Sequence, residues 1–195
     1  IINYATSIEA VPIEMGELRP TVVCSVPRLY EKIYARVLEN AMAGSPTKQK
    51  IFLWAKRIGE AWAEFAIEGK PVPAALGFKY RIGHKLVFSK LVARVGGRLR
   101  FFVSGGAPLA ADIARFFFAA GLPIMEGYGL TETSPVITVN GFGRARFGTV
   151  GKPVPGVEVK IAADGEILTR GPNVMKGYYN KPEATAEVLS PDGWF

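Results

Sequence analysis

Cysteine and histidine are nearly absent from this 195-residue chain, which contains one of each. The single thiol excludes a disulfide framework and is typical of proteins from a reducing compartment. Because Cys24 lies in an apolar run, we expect it to be an inert core thiol. No stretch approaches the roughly 18 apolar residues of a membrane-spanning helix, and residues 1–10 lack the basic start of a signal peptide. These absences favour a cytoplasmic globular protein.

The residues that are present are sufficient for a folded core, because 49% are hydrophobic and 21% are charged. Their periodicity predicts an α/β fold, in which a parallel sheet is flanked by helices in βαβ units and is followed by a smaller β-rich subdomain. We place the α/β subdomain at residues 1–140 and the β-rich subdomain at 141–195. The predicted elements are strands at 21–25, 99–103 and 124–126, helices from Pro27, after residue 46 and around 81–95, a loop at 69–77, and a β-hairpin at 157–170.

One predicted βαβ unit joins the strand at 99–103 to the strand at 124–126. Pro108 suits the first helical position, where its missing N–H costs nothing, and Gly121 suits the C-terminal cap. Parallel strands joined by a crossover helix end at the same edge of a sheet, where ligands bind in open α/β folds. Residues 104–107 and 127–132 should therefore face each other there. The helix between them should bury one apolar face: Leu109, Ile113, Phe116, Phe117 and Ala120.

Both segments at this edge have residues that suit a nucleotide. Residues 126–133 (EGYGLTET) combine an aromatic ring, hydroxyls and a carboxylate on a glycine-containing loop, which suits a nucleotide phosphate and its metal. Residues 104–108 (SGGAP) form a second loop of small residues. The spacing thus predicts one crevice lined by two loops.

Residues 128–133 (YGLTET) resemble the signature loop of the adenylate-forming enzymes, a superfamily of acyl-CoA synthetases, luciferases and peptide-synthetase adenylation domains. Segment 19–32 (RPTVVCSVPRLYEK) is similar to the long-chain fatty-acyl-CoA synthetase branch. The resemblance covers most of the chain, in order, through SGGAPL at 104–109, GTVGKP at 148–153, GEI at 165–167, GPNVMKGYY at 171–179 and DGWF at 192–195.

This resemblance implies that ATP and a fatty acid form an acyl-adenylate and pyrophosphate, after which the thiol of CoA attacks to give the thioester. It implies two catalytic residues, Glu132 as a ligand of Mg²⁺ and Thr131 as a hydroxyl donor to the α-phosphate. The ATP contacts that it implies are Ser104, Gly105, Gly106, Ala107, Pro108, Glu126, Gly127, Tyr128, Gly129 and Thr131.

The resemblance also implies that the chain is an internal piece of the large N-terminal domain of a longer enzyme. The phosphate loop, the ribose-binding Asp and the C-terminal catalytic Lys of relatives have no counterpart here. Residues 44–48 (GSPTK) look like a phosphate loop, but capping of the next helix by Ser45 or Thr47 explains them better. We therefore expect residues 141–195 to be truncated at their C-terminal end and the chain by itself to be inactive.

Each site residue also has an ordinary structural explanation. Tyr128 is either a core aromatic or a platform for adenine, and its flanking glycines favour the platform. Glu132 is either a solvated helix-start carboxylate or the metal ligand. Thr131 either caps the backbone, donates to the phosphate, or does both. Residues 105–107 either form a plain turn or let adenine approach the backbone closely.

The net charge of +7 is concentrated in one region around His84. This surface either attracts anionic lipid headgroups and CoA phosphates or is a solvated helix face, and we favour the solvated face. Nucleic-acid binding is not expected, because no recognition helix or RNA-binding signature accompanies the charge. The basic residues concerned are Lys79, Arg81, Lys85, Lys90, Arg94, Arg98 and Arg100.

The sequence therefore predicts a long-chain fatty acid–CoA ligase with a fatty acid, ATP and CoA as substrates and Mg²⁺ as the metal. Two other functions stay open: a ligase for an aryl or amino acid with the same ATP loops, and a non-catalytic lipid-binding or membrane-surface module. Peripheral contact with an anionic membrane and a homodimer are both compatible with the sequence.

Overall fold

A five-stranded sheet forms the centre of the structure. The computed structural model describes residues 2–143 and 145–195. Within these residues the sheet has the order β1-β2-β3-β4-β5, and a separate two-stranded sheet pairs β6 with β7. The strands are β1 (Val22–Ser25), β2 (Phe101–Ser104), β3 (Ile124–Gly129), β4 (Val136–Val139), β5 (Lys152–Pro153), β6 (Glu158–Ile161) and β7 (Ile167–Arg170).

The central sheet is parallel on one side and antiparallel on the other. β1, β2 and β3 are parallel, whereas β4 and β5 are added antiparallel. The predicted α/β class with a parallel sheet flanked by helices is confirmed. The antiparallel addition was not predicted. It follows from the short connection at residues 130–135, because a parallel return needs a crossover of about a dozen residues or more.

The described helices are α1 (Val11–Leu18), α2 (Pro27–Met42), α3 (Pro46–Ile67), α4 (Ala74–Gly83), α5 (Ser89–Arg94), α6 (Ala111–Ala119) and α7 (Pro182–Val188), with a π-helical turn at His84–Phe88 and a 3-10 turn at Thr131–Thr133. Proline stands in the first turn of both α2 and α3, where its missing N–H is tolerated. Ser45 precedes α3 as expected, but its side chain makes no capping hydrogen bond.

Aromatic side chains fill the space between the helices and the sheet, and Phe102, Phe116 and Phe117 are almost completely buried. The buried Tyr30 ring of α2 meets the Phe102 ring edge-on at 5.2 Å between centroids. Its hydroxyl donates a hydrogen bond to the Val103 carbonyl oxygen at 2.6 Å, so the buried polar group is satisfied. This bond fixes α2 against the strand that ends at the predicted crevice.

Helix α4 begins inside the segment predicted to be a loop. Residues 74–94 are helical without interruption, so the boundary predicted near residue 81 was wrong. The reason is packing against α3, since the Tyr80 ring stacks on Trp62 at 3.9 Å and its hydroxyl donates to the Ala119 carbonyl oxygen. These contacts outweigh the low helix propensity of Gly77.

Helix α6 begins three residues later than predicted. Pro108 is not at the first helical position, because Ala110 is still extended and the helix starts at Ala111. Leu109 is held outside the helix by a hydrogen bond from its N–H to the Glu126 carboxylate at 3.4 Å. The predicted C-terminal end is confirmed, since Gly121 has φ +79°. All five residues predicted for the apolar face are buried, although Leu109 lies before the helix rather than on it: Leu109, Ile113, Phe116, Phe117 and Ala120.

The surface of the described residues contradicts the prediction for Cys24 and does not decide the role of the basic residues. Cys24 is exposed and is not a core thiol, because β1 lies at an edge of the sheet and alternate residues of a strand point to opposite faces. The seven basic side chains between 79 and 100 are all exposed, which both a solvated face and an anion-binding surface require, so the preference for a solvated face stays a prediction. Among the described helices, none combines the length and the hydrophobicity that crossing a bilayer requires.

Residues 141–195 contain the predicted hairpin, in which β6 pairs with β7 from Glu158 opposite Arg170 to Ile161 opposite Ile167. The chain end is attached to this hairpin, because Phe195 and Thr169 exchange backbone hydrogen bonds and Lys160 lies over the Trp194 ring. β5 belongs to the central sheet rather than to the hairpin. The domain division at residue 140 stays a prediction.

Candidate functional site

Three polar residues stand side by side where the parallel strands end. The register pairs Ser25 with Ser104 and Ser104 with Glu126, so one row crosses β1 and β2 at their carboxyl ends and β3 where its parallel pairing ends. Ser104 is 1% exposed, and within residues 2–143 and 145–195 its hydroxyl has no hydrogen-bond partner. The predicted meeting of the two segments at one sheet edge is therefore present.

The small-residue turn follows β2 directly. The Gly105 N–H donates a hydrogen bond to the Ser25 carbonyl oxygen at 3.3 Å, which keeps the turn beside β1. Gly106 has φ +84°, a conformation that favours glycine because a side chain would be strained there. Gly106, Ala107 and Pro108 are exposed, so a ligand can reach their backbone.

Glu126 is a buried carboxylate between the two segments. It is 6% exposed and accepts the Leu109 N–H, so it ties β3 to the segment before α6. Burial raises the pKa of its carboxyl above the ordinary value of 4.5, against the opposing effect of the Leu109 N–H. The residue thus has a structural role at this edge besides the predicted contact with a nucleotide.

The predicted loop at 126–133 is in fact a strand followed by a short turn. β3 continues to Gly129 because Gly127, Tyr128 and Gly129 pair with β4. A Cβ at Gly129 would overlap the Pro135 carbonyl group, so only glycine fits where the backbone of β3 passes close to that of residue 135. Tyr128 is half-buried, which leaves part of its ring accessible.

The 3-10 turn at Thr131–Thr133 presents the two predicted catalytic side chains. Thr133, not Thr131, caps this turn: its hydroxyl accepts the Leu130 N–H at 3.0 Å and donates to the Pro135 carbonyl oxygen at 2.7 Å. Thr133 is fully buried, whereas Thr131 is exposed. The capping explanation for Thr131 is therefore wrong, and this residue lies on the surface.

Glu132 is half-exposed and is held by residues far along the chain. The Tyr178 hydroxyl donates a hydrogen bond to its Oε1 atom at 3.0 Å, and the Met175 N–H donates to its carbonyl oxygen at 2.7 Å. The hydrogen bond to Glu132 raises the pKa of the Tyr178 hydroxyl. Because Tyr178 engages one carboxylate oxygen, the second oxygen, Oε2, is left for another partner.

The donor set fits a magnesium ion bound together with a nucleotide. Among the described residues, no three His, Cys, Asp or Glu side chains are close enough to hold a metal on their own. Mg²⁺ with nucleotides is usually bound by one or two carboxylates, phosphate oxygens and water. The carboxylate of Glu132 next to the exposed Thr131 hydroxyl is compatible with that coordination.

The structure brings all the predicted site residues to one sheet edge or to the turn that follows it. Sequence reasoning missed Thr133 and Tyr178. For Thr133 a signal was present, since threonine three residues after the start of a turn is a common capping position. Tyr178 lies in the segment 171–179 that carries the resemblance, but that segment gives no sign of the contact with Glu132, which forms only in the tertiary fold.

Comparisons with known proteins identify relatives over nearly the whole chain. The long-chain-fatty-acid–CoA ligase FadD15 of Mycobacterium bovis is 42% identical over 194 residues, which cover 100% of this chain and 32% of that protein. The peroxisomal long chain acyl-CoA synthetase 7 of Arabidopsis thaliana is 38% identical, with 93% of this chain and 27% of that protein covered. This chain thus spans about a third of the length of the curated relatives it matches.

A solved structure has the same fold. A malonyl-CoA ligase, in a ternary product complex with methylmalonyl-CoA and AMP, superimposes with a TM-score of 0.56 at 30% identity, covering 97% of this chain and 32% of that one. The family model described as "AMP-binding enzyme" matches residues 6–179, which include the small-residue turn, β3, the 3-10 turn and Tyr178. The chain therefore belongs to the AMP-binding enzyme family.

Proposed function

We propose that the protein containing this chain is a long-chain fatty acid–CoA ligase. The observation that carries the proposal is that residues 104–108, β3 and the Thr131–Thr133 turn meet at one sheet edge. There the half-buried Tyr128 is followed by the exposed Thr131. The identity of 42% to a long-chain-fatty-acid–CoA ligase supports the choice of substrate class.

In this proposal ATP lies across the carboxyl ends of β2 and β3. The adenine ring stacks on Tyr128, and the backbone of residues 105–107 and Gly127 lies close to it because those side chains are small. The Ser104 hydroxyl is buried at the end of β2 without a hydrogen-bond partner among the described residues, and in this proposal the nucleotide supplies one. The Thr131 hydroxyl donates to the α-phosphate.

The reaction needs positioning more than covalent chemistry from the protein. A fatty-acid carboxylate oxygen attacks the α-phosphorus, the bond to the bridging oxygen breaks, and pyrophosphate leaves with the electron pair. Mg²⁺, when bound at the Glu132 carboxylate, supplies neutralisation of phosphate charge. The CoA thiol then displaces AMP from the acyl-adenylate, with loss of its proton, to form the thioester.

The proposal is tested by pyrophosphate exchange in the full-length protein with Glu132→Ala. We expect adenylation to fall by a hundredfold or so, since one well-placed electrostatic group contributes roughly 10²–10³ in rate. The matched control is Glu17→Ala, which removes an exposed carboxylate of α1. If Glu132→Ala exchanged pyrophosphate at the wild-type rate at saturating Mg²⁺, Glu132 would not belong to the site.

A panel of acids discriminates the substrate classes. We expect palmitate to support acyl-CoA formation more efficiently than benzoate or an amino acid. Efficient turnover of benzoate or an amino acid with no turnover of palmitate would replace the long-chain assignment by the aryl or amino acid alternative, while the ATP site would stand.

We also propose that the face of α4 and the following π-helical turn contacts an anionic membrane. Three apolar side chains one helical turn apart are exposed there: Phe78 by 65%, Ile82 by 39% and Leu86 by 47%. Lys79 and Lys85 flank this stripe, and no acidic residue occurs between positions 69 and 111. Apolar residues beside lysines are typical of interfacial helices.

Vesicle sedimentation tests this surface. We expect the full-length protein to bind vesicles of phosphatidylcholine with phosphatidylglycerol more tightly than vesicles of phosphatidylcholine alone. Binding should weaken in Phe78→Ser/Leu86→Ser but not in Ile13→Ser, which removes a comparably exposed apolar side chain from α1. Equal binding by the double variant and the control would rule the surface out.

A further inference from the structure

The Glu132 carboxylate is held by a segment more than 40 residues further along the chain. Besides the bond from the Tyr178 hydroxyl at 3.0 Å, this segment makes two bonds to the backbone around the site. The Met175 N–H donates to the Glu132 carbonyl oxygen at 2.7 Å, and the Asn173 side-chain amide donates to the Val136 carbonyl oxygen at 3.0 Å. Residues 173–178 therefore lie along the turn and the start of β4.

The backbone of Tyr178 is held by α7, on the side away from Glu132. Its N–H donates to the Thr185 hydroxyl at 2.9 Å, and that hydroxyl donates to the Lys181 carbonyl oxygen at 2.8 Å. Gly177 has φ +143°, and a Cβ there would lie 2.9 Å from the Thr185 Cγ2 atom. The backbone before the tyrosine is thus packed tightly against α7, so the position of the ring is determined by its surroundings.

The neighbouring tyrosine has no comparable environment. Tyr179 is 90% exposed, whereas Tyr178 is half-buried with its hydroxyl on the carboxylate. The chain therefore contains two adjacent tyrosines, of which one contacts the candidate metal ligand and the other projects into solvent. This pair provides a matched control.

We propose that Tyr178 is a positioning residue for the metal-binding carboxylate. Its hydroxyl holds Oε1 of Glu132 in one rotamer, which leaves Oε2 available to Mg²⁺ and removes the entropic cost of ordering the side chain when the metal binds. Tyr178 belongs to a segment 46 residues away along the chain, and its hydrogen bond joins that segment to Glu132. Metal binding at Glu132 is therefore coupled to the packing of residues 173–178 against the turn. This inference rests on the proposed function, in which Glu132 binds the metal.

The test measures metal affinity separately from turnover. Mn²⁺ is titrated into the full-length protein in the presence of saturating α,β-methylene ATP, and bound Mn²⁺ is followed by electron paramagnetic resonance. We expect Tyr178→Phe to weaken Mn²⁺ binding by about tenfold, the size of effect that residues orienting a metal ligand commonly have. Tyr179→Phe should bind Mn²⁺ as the wild type does.

Two further measurements separate positioning from folding. The thermal unfolding midpoint of Tyr178→Phe should stay close to that of Tyr179→Phe, because the ring is retained. The Mg²⁺ concentration that gives half-maximal pyrophosphate exchange should rise in Tyr178→Phe, while the rate at saturating Mg²⁺ recovers most of the wild-type value.

The outcomes distinguish this inference from the proposed function. If Glu132→Gln weakens Mn²⁺ binding but Tyr178→Phe and Tyr179→Phe both match the wild type, the positioning role is overturned and the metal site stands. If Glu132→Gln itself leaves Mn²⁺ binding unchanged, the metal assignment of Glu132 fails and the inference fails with it. A lower unfolding midpoint with unchanged Mn²⁺ affinity in Tyr178→Phe would make the tyrosine purely structural.

Discussion

Replacing Gly129 by alanine should disrupt the link between β3, at the sheet edge where we propose that ATP binds, and the Thr131–Thr133 turn. A Cβ at this position would overlap the Pro135 carbonyl group and lie 3.0 Å from the Val136 Cα atom. Both neighbours are backbone, so no flexible side chain can move aside. The added methyl group must therefore push β4 away from β3, where Gly129 pairs with Val136.

This displacement lowers the free energy of unfolding in two ways. Overpacking in a filled site costs about 1–3 kcal/mol, and each backbone hydrogen bond lost at the end of the ladder adds about 1 kcal/mol. We expect Gly129→Ala to lower the free energy of unfolding by about 3 kcal/mol or more. At Gly127 the nearest atom to an added Cβ is the Thr138 carbonyl oxygen at 3.5 Å, an ordinary contact, so Gly127→Ala should stay within about 1 kcal/mol of wild type.

Urea unfolding of the full-length protein, followed by tryptophan fluorescence, measures both variants. Gly129→Ala should also lose ATP binding, because the turn with Thr131 and Glu132 follows directly after the displaced residue. Gly127→Ala should keep its stability and raise only the KM for ATP, if adenine lies against that backbone. Equal unfolding midpoints for the two variants would refute the steric argument.

Three further outcomes are expected. Tyr128→Phe should leave the KM for ATP nearly unchanged while Tyr128→Ala raises it by the equivalent of about 1–3 kcal/mol, the range of base stacking; equal losses would assign the effect to the hydroxyl. Burial raises the pKa of Glu126, so its ionisation opposes folding, and stability should fall as pH rises from about the ordinary value of 4.5 through the folded pKa. Glu126→Gln should therefore unfold at a higher temperature than wild type at pH 7, and this advantage should disappear below about pH 4 in calorimetry, whereas the same difference at every pH would contradict the burial argument. The 195-residue chain alone should form no acyl-CoA from palmitate, ATP and CoA in a thioester assay, and turnover would show that the catalytic parts are misplaced.

The candidate site was predictable because short-range patterns describe it. Small residues after a strand and an aromatic-hydroxyl-carboxylate run after the next strand predicted a crevice, and the βαβ rule placed both at one edge. The sequence did not show which of these residues would form hydrogen bonds with the backbone instead of facing a ligand. Pro108 lies before α6 because the Glu126 carboxylate binds the Leu109 N–H, and Thr131 is free of the capping role because Thr133 takes it.

The sequence by itself determined the class of fold, the apolar residues of α6, the hairpin at 157–170 and the two segments of the crevice, since each depends on periodicity or on turn residues within a few positions. Only the tertiary structure decided that Gly127–Gly129 form a strand, that Cys24 is exposed and that Tyr178 holds Glu132. These features depend on which distant segment packs against a residue. The free energy of such contacts is not contained in local sequence pattern, because burial and hydrogen-bond partners exist only once the chain has folded.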